Sequence, residues 1–149
     1  MREALIAMVI IAGSAMPIQA AINSQLRSGL LGSPVLASLV SFAMGTLALL
    51  LVYFGALRGG LPSMAELGKT QWWMWLGGPL GAFFVLTSIL AAPRIGAASM
   101  IVLFVAGQIL MALVLDHFGL LGMPLREVNA TRLLGAALVL VGALLVTRG

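Results

Sequence analysis

Polar and charged positions are so sparse along this chain that they divide it into long apolar stretches. Uncharged stretches of 23, 30, 24, 21 and 15 residues lie within Glu3–Arg27, Arg27–Arg58, Lys69–Arg94, Arg94–Asp116 and Arg132–Arg148. A membrane-spanning helix needs about 20 mainly apolar residues. Arginines can snorkel to the interfaces from both ends of the shortest stretch. The pattern therefore predicts five transmembrane helices, near residues 5–25, 34–57, 71–92, 95–115 and 131–147.

Turn-forming residues fall between the predicted spans. Ser33-Pro34 has the pattern of a helix cap followed by proline in the first turn. Residues 92–94 (Ala-Pro-Arg) predict a very short turn, which would make the third and fourth spans antiparallel neighbours. Longer connections are expected over 58–70 and 116–130. Pro17 and Pro79 lie inside predicted spans, and because proline lacks a backbone donor, each predicts a kink.

Composition agrees with a membrane location and limits the functional classes. With 62% apolar and 8% charged residues, the chain cannot cover a soluble fold with polar groups. We therefore expect one all-α, polytopic integral membrane domain over residues 1–149. A cleaved signal peptide is the competing interpretation of the first stretch, although that stretch exceeds the usual length of about 7–15 apolar residues. The eight basic residues are scattered, which argues against a nucleic-acid partner, and without cysteine there is no thiol chemistry.

The basic residues give only a small bias in orientation. Five spans would place five bases on the side of the N-terminus and three on the other side: Arg2, Arg58, Lys69, Arg126 and Arg132, against Arg27, Arg94 and Arg148. The positive-inside rule favours a cytoplasmic N-terminus. The difference is small enough that the chain could insert in both orientations and pair with an inverted copy of itself, and a fixed orientation is the alternative.

Polar side chains inside the predicted spans are the candidates for binding a solute. Gln19, Asn23 and Arg27 are spaced by four and form a stripe on the first helix. Gln108 lies in the fourth span. Ser41 and Thr46 in the second span are weaker candidates, because serine and threonine can bond to their own helix backbone. An amide-lined cavity could bind a polar solute near the middle of the membrane. The alternative is that these amides hold helices together.

Acidic residues are absent from all five spans, which bears on mechanism. A proton-coupled exporter of organic cations needs a buried acid that alternates between proton and substrate. Asp116 and His117, at the end of the fourth span, are the nearest candidates for coupling, and the alternative is that they only mark the membrane interface. No catalytic triad, carboxylate pair or metal-ligand cluster is present. We therefore expect neither an enzyme nor a bound metal or cofactor.

Small residues recur at helical spacing in two spans. Gly77 and Gly81 are four apart in the third span, and the pair Gly135-Ala recurs as Gly142-Ala in the fifth. Small residues let helix backbones approach closely in membranes. These positions are expected to pack against another helix or against another subunit.

Several motifs occur in an order that resembles one known family. They are Pro17-Ile-Gln-Ala-Ala-Ile-Asn-Ser-Gln-Leu-Arg27, Gly32-Ser-Pro34, Ser41-Phe-Ala-Met-Gly-Thr46, Leu90-Ala-Ala-Pro-Arg-Ile-Gly-Ala97, Gly107-Gln108 and Asp116-His-Phe-Gly119. Together they resemble the YdcZ family of the drug/metabolite transporter superfamily over essentially the whole chain. The fifth span is also similar to the dimerising last helix of small multidrug resistance proteins. Those proteins carry a glutamate in their first helix, where this chain has Gln19 and Asn23, so their cation/proton mechanism does not carry over.

The resemblance implies a bacterial inner-membrane protein equivalent to half of a ten-helix transporter with inverted repeats. Such a chain would work as an antiparallel homodimer, or with a paired homologue. We expect a secondary transporter or facilitator of a small neutral or zwitterionic molecule, moved by alternating access. The alternatives are a non-transporting membrane subunit that stabilises a partner, and a carrier that handles lipid.

Overall fold

The computed structural model describes residues 2–30 and 32–148, and every regular element in those residues is helical. The α-helices are α1 (Arg2–Gly29), α2 (Pro34–Leu50), α3 (Met64–Leu67), α4 (Gly77–Ile95), α5 (Ala97–Phe118) and α6 (Ala130–Arg148). A π-helical turn (Leu51–Ala56) extends α2, a 3₁₀ helix (Trp72–Leu76) precedes α4, and a 3₁₀ turn (Leu120–Gly122) follows α5.

The helices confirm the expected all-α, polytopic membrane protein. By length and composition, four segments of the described chain can cross a membrane: Pro34–Ala56, Trp72–Ile95, Ala97–Phe118 and Ala130–Arg148. The 28 residues of α1 give it the length for a fifth span. Each of the five predicted spans falls on one of these helices to within a few residues, and the additional loop helix α3 is too short to cross.

The turn between α1 and α2 is closed by hydrogen bonds at both ends. Ser33 caps α2 as predicted, because its hydroxyl accepts from the Leu36 N–H at 3.2 Å and Pro34 follows it. Gly32 has a φ of +71°, a conformation that suits glycine. The Nε–H of Arg27 donates to the Gly32 carbonyl at 3.0 Å. Arg27 therefore fixes the turn.

The end of α2 holds the following loop against the helix. The Leu57 N–H reaches back to the Val52 carbonyl at 2.9 Å, in π-helical fashion. The Tyr53 hydroxyl donates to the Gly60 carbonyl at 2.7 Å. Gly59 lies so close to the Tyr53 ring that a Cβ at that position would overlap it. Only glycine fits here without a shift of the ring or the loop.

The predicted turn over residues 92–94 is wrong. α4 continues through Pro93 to Ile95, and the break falls at Gly96, which has a φ of +83°. A proline in the last turn of a helix removes one hydrogen bond without having to end the helix. Gly96 ends it instead, because a positive φ is readily accessible to glycine.

The described helices fall into two compact units, one up to Ala92 and one from Pro93 onward. The core of the first unit consists of Ala37, Val85 and Ile89, with Leu26 and Phe84 packed against it. These residues belong to α1, α2 and α4, so the first unit is built from three of the long helices. A single domain over the whole chain stays a prediction.

The second unit pairs α5 with α6. α5 ends at Gly119, which has a φ of +59°, and Asn129 caps α6 by accepting from the Arg132 N–H at 2.9 Å. The Arg132 guanidinium forms an ion pair with Asp116 and donates to the Arg126 carbonyl at 2.9 Å. The Arg126 N–H in turn donates to the Asp116 carbonyl at 2.8 Å. These bonds tie the end of α5 to the start of α6.

The glycines of the third span differ in their surroundings. A Cβ on Gly81 would lie 3.5 Å from the ring of Phe42, so Gly81 packs against α2. A Cβ on Gly77 would meet nothing within 4 Å. Pro79 lies in the first turn of α4, where a backbone donor is not needed. A kink at Pro79 stays a prediction.

In α6 the alanines of the repeated pairs are buried, and the glycines have open space where a side chain would be. Ala136 and Ala143 are 7% and 4% exposed. A Cβ on Gly135 or Gly142 would meet nothing within 4 Å in the described structure. The alanines therefore serve packing within the chain, and a role of the glycines in dimerisation stays a prediction.

We predict that Asp116→Asn weakens the second unit. The substitution removes the ion pair with Arg132, which we expect to lower the free energy of unfolding by about 1 kcal/mol. Thermal unfolding of the purified protein in detergent measures the loss. Glu127→Gln is the matched control, because Glu127 is an exposed acid of the same connection with no ion pair in the described structure. Equal effects of the two substitutions would contradict the assignment.

We also predict that the loop helix α3 is weakened in acid. The Glu66 carboxylate accepts from the Ser63 N–H and hydroxyl, each at 2.8 Å. These bonds, the backbone one first, lower the pKa of Glu66 below its ordinary value. Because the folded-state pKa is lowered, the stabilisation is present above the ordinary value of 4.5 and is lost as the pH falls through the lowered pKa.

An NMR titration of the Glu66 carboxyl group measures this pKa. In Ser63→Ala the midpoint should rise towards the ordinary value, because the hydroxyl bond is lost. Thr70→Ala is the control, since the Thr70 hydroxyl donates to the Leu67 carbonyl at 2.7 Å and not to Glu66. An unchanged midpoint in Ser63→Ala would be the contrary result.

Candidate solute-binding site

The predicted polar stripe of α1 falls into three different environments. α1 continues through Pro17 as one helix, and a kink there stays a prediction. Gln19 is exposed, Asn23 is buried at 3% exposure, and Arg27 is half-buried and bonded to the turn. The three residues therefore have different roles, although their spacing places them on one side of the helix.

Gln19 and Ser41, two of the predicted binding residues, line the same cavity. It has a volume of about 220 Å³ and lies against α1 and α2. Its lining residues are Gln19, Ser41, Phe42, Gly45, Thr46 and Leu49. We call this space the polar cavity. The residues from α2 recur every three or four positions, so they share one face of that helix.

The polar groups of this cavity are free to bind a solute. The Gln19 amide and the hydroxyls of Ser41 and Thr46 form no hydrogen bond with any described residue. By contrast, Ser38, Thr87 and Ser88 satisfy themselves on their own helices: their hydroxyls donate to the carbonyls of Pro34, Phe83 and Val85 at 2.9, 2.8 and 2.7 Å. One amide and two hydroxyls can both donate and accept, which suits an uncharged polar ligand.

Sequence reasoning ranked Thr46 low because its hydroxyl could bond to its own helix. The structure shows that Thr46 does not use this bond. Its spacing from Ser41 and Phe42 was the available signal, since it places all three on the face that meets Gln19.

Asn23 is a second unsatisfied polar group of α1. It lies one helical turn beyond Gln19 on the buried face with Ala20, and its Nδ2 has no hydrogen-bond partner. A buried donor without a partner costs about 1–3 kcal/mol. Asn23 does not line the polar cavity. Its amide is a donor available to an acceptor brought by a solute, by water or by a second chain.

The other predicted polar residues lie in the second compact unit. Gln108 is exposed on α5, and its position relative to Gln19 stays a prediction. Asp116 is paired with Arg132, and the Val128 N–H donates to Nδ1 of His117 at 3.2 Å. Both members of the predicted coupling pair therefore take part in holding the connection between α5 and α6. A role in ion coupling stays a prediction.

A family model described as "Putative inner membrane exporter, YdcZ" (DMT_YdcZ) matches residues 4–145 of the chain. The inner membrane protein YdcZ of Escherichia coli (strain K12) is 40% identical over 92 residues, a match that covers 61% of this chain and 61% of that protein. The aligned part thus spans less than two thirds of the relative. No solved structure matches.

These similarities agree with the long apolar helices, which suit an inner membrane protein. They indicate an inner-membrane location, and the description of the matching family is that of an exporter. The match covers nearly the whole sequence and includes α1, α2 and the polar cavity between them. The chain belongs to the YdcZ family of inner membrane proteins.

Proposed function

We propose that the protein is a secondary transporter or facilitator of a small neutral or zwitterionic solute, which it moves as an antiparallel dimer by alternating access. The observation that carries this proposal is the polar cavity with its three unbonded polar groups, Gln19, Ser41 and Thr46. Groups left unsatisfied in a membrane-embedded cavity gain hydrogen bonds when a polar solute enters.

The charges around the cavity favour an uncharged solute over a bare cation. None of its lining residues is ionisable. A desolvated cation would need a compensating carboxylate, because amide and hydroxyl dipoles replace only part of its hydration. A neutral or zwitterionic molecule with donors and acceptors is matched by the groups present.

Two features support the dimer. The basic residues are nearly balanced between the two sides of a five-span arrangement. Gly135 and Gly142 on α6 have open space where a side chain would be, so another helix can approach them closely. Two inverted five-helix units would then rock around a shared solute site.

We predict that Thr46→Val and Gln19→Leu weaken solute binding. Each removes hydrogen bonds that the cavity offers, so the affinity for the transported solute should fall about two- to ten-fold per bond lost. Uptake of a panel of radiolabelled neutral and zwitterionic solutes by proteoliposomes measures the effect.

Thr87→Val is the matched control for Thr46→Val. It removes the same hydroxyl from a residue of the same unit, but that hydroxyl already bonds to Phe83. We expect normal transport in Thr87→Val. Wild-type flux in both Thr46→Val and Gln19→Leu would remove the site assignment, and absence of flux across the whole panel would favour a non-transporting subunit.

We further predict that the chain inserts in both orientations, so that the loop after α2 faces the outside of the cell in some copies and the cytoplasm in the others. Because the chain has no cysteine, Ser63→Cys supplies a single probe in the exposed loop. A membrane-impermeant maleimide should label about half of the protein in intact cells if both orientations are equally populated, and all of it after lysis. Labelling that is complete or absent in intact cells would show one orientation and exclude the antiparallel homodimer.

A further inference from the structure

A second cavity adjoins the polar one along α2. It has a volume of about 500 Å³, compared with about 220 Å³ for the polar cavity. Its lining residues are Thr46, Leu49, Leu50, Val52, Tyr53, Phe54, Leu57, Leu61 and Pro62. We call it the apolar cavity. Thr46 and Leu49 line both spaces, so the two cavities meet at these residues.

The apolar cavity has a wall that is held in place. Leu61 and Pro62 come from the loop after α2, and the bond from the Tyr53 hydroxyl to the Gly60 carbonyl fixes that loop. Arg58 enters the loop with a φ of +51°, a conformation that side-chain-bearing residues rarely adopt. The loop therefore gives this space a defined wall on one side, and its other side is open, since Leu57 and Leu61 are 70% and 82% exposed.

The backbone at this cavity departs from ordinary helix geometry. The π-helical turn of Leu51–Ala56 forms part of the lining, and such turns frequently occur at functional sites. Strained backbone persists where the surrounding structure fixes it. The unusual turn, the residue with positive φ and the close approach of Gly59 all lie within this short segment.

We propose that the transported solute is amphipathic, with a neutral hydrogen-bonding head in the polar cavity and an aliphatic tail in the apolar cavity. This inference rests on the proposed function and specifies its substrate class. The head contacts Gln19, Ser41 and Thr46, and the tail lies along Tyr53 and Leu57 under the loop. Apolar walls stabilise a tail, and the adjoining amide and hydroxyls determine which end of the solute lies where.

A third cavity is the competing place for the tail. It has a volume of about 360 Å³, lies between α2 and α4, and shares only Phe42 with the polar cavity. No loop residue lines it, and Phe42 has no polar group that could bind the head of the solute where the two cavities meet. The cavity under the loop fits better because both Thr46 and Leu49 are common to it and to the polar cavity.

Binding of N-alkylacetamides to the protein in lipid nanodiscs tests the proposal. The head is a neutral amide, and the tail increases from methyl to octyl. When the affinity is calculated from the free concentration of the compound in water, it should rise about four-fold for each added methylene. Partition into the bilayer alone would produce the same rise in every variant, so a contrast between variants is needed.

Leu57→Gln and Leu145→Gln provide that contrast. Leu57 lines the apolar cavity only, and Leu145 is an exposed leucine of α6 that lines none of the described cavities. Leu57→Gln should weaken the octyl compound at least about ten-fold and leave the methyl compound unchanged. Leu145→Gln should change neither. Equal effects of the two substitutions would overturn the proposal.

A photoreactive probe locates the tail independently of any variant. N-octylacetamide with a diazirine at the end of its chain should label Tyr53, Leu57 or Leu61, and unlabelled N-octylacetamide should compete. Labelling of Phe83 or Leu86 in the third cavity would overturn the proposal. Labelling that unlabelled N-octylacetamide does not reduce would also overturn the proposal, because it indicates an ordinary lipid site. Loss of self-association in Leu57→Gln would overturn it as well, because it indicates an interface between copies.

The two proposals fail in different ways. If N-methylacetamide binds and Gln19→Leu weakens this binding, the polar cavity is supported as the binding site. An affinity that does not depend on chain length would then overturn only the proposal of an amphipathic substrate. If Gln19→Leu leaves every member of the series unchanged, the polar cavity is not the binding site, and both proposals fail.

Discussion

The structure depends on one constraint: a polar group in a hydrocarbon environment must find a partner within the protein or remain costly until a ligand supplies one. Most hydroxyls of the long helices meet this constraint locally, as Ser38 and Ser88 do by donating to carbonyls of their own helices. Gln19, Ser41 and Thr46 do not, and all three line one small cavity. Ser24 and Ser99 are also unbonded in the described residues but line none of the cavities described above, so a free hydroxyl is a candidate for binding only where it also lines a cavity.

Charge in the described residues lies at the ends of the long helices and in the loops between them, and several of these charges support the structure. Arg27 fixes the turn into α2 through the Gly32 carbonyl. Arg132 ties the start of α6 to the end of α5 through its ion pair with Asp116. The membrane interior is left to amides, hydroxyls and apolar side chains. This division explains how a membrane protein with so few ionisable residues can hold its helices together and still have a polar cavity.

The sequence predicted the helices well, because the spacing of charges and the Ser33-Pro34 cap act locally and do not depend on packing. It did not predict where α4 ends, since Pro93 is tolerated in a last turn and the positive φ of Gly96 is a backbone property that only the structure shows. Gln19 and Ser41 were predicted as binding residues and share a cavity, but Thr46 was underestimated and Asn23 proved to be buried apart from them. When every face of a helix is apolar, the pattern of residues cannot tell which face packs against the protein and which faces lipid.

The loop after α2 forms one wall of the apolar cavity but is not part of a membrane span, so the shape of the cavity and the membrane insertion of α2 depend on different residues. Leu61 and Pro62 line the cavity but lie outside the helices that cross the membrane. Changes at these two positions alter the shape of the cavity without altering the hydrophobicity that drives insertion of α2. Substitutions at Leu61 and Pro62 can therefore change the size of the apolar cavity at little cost to membrane integration.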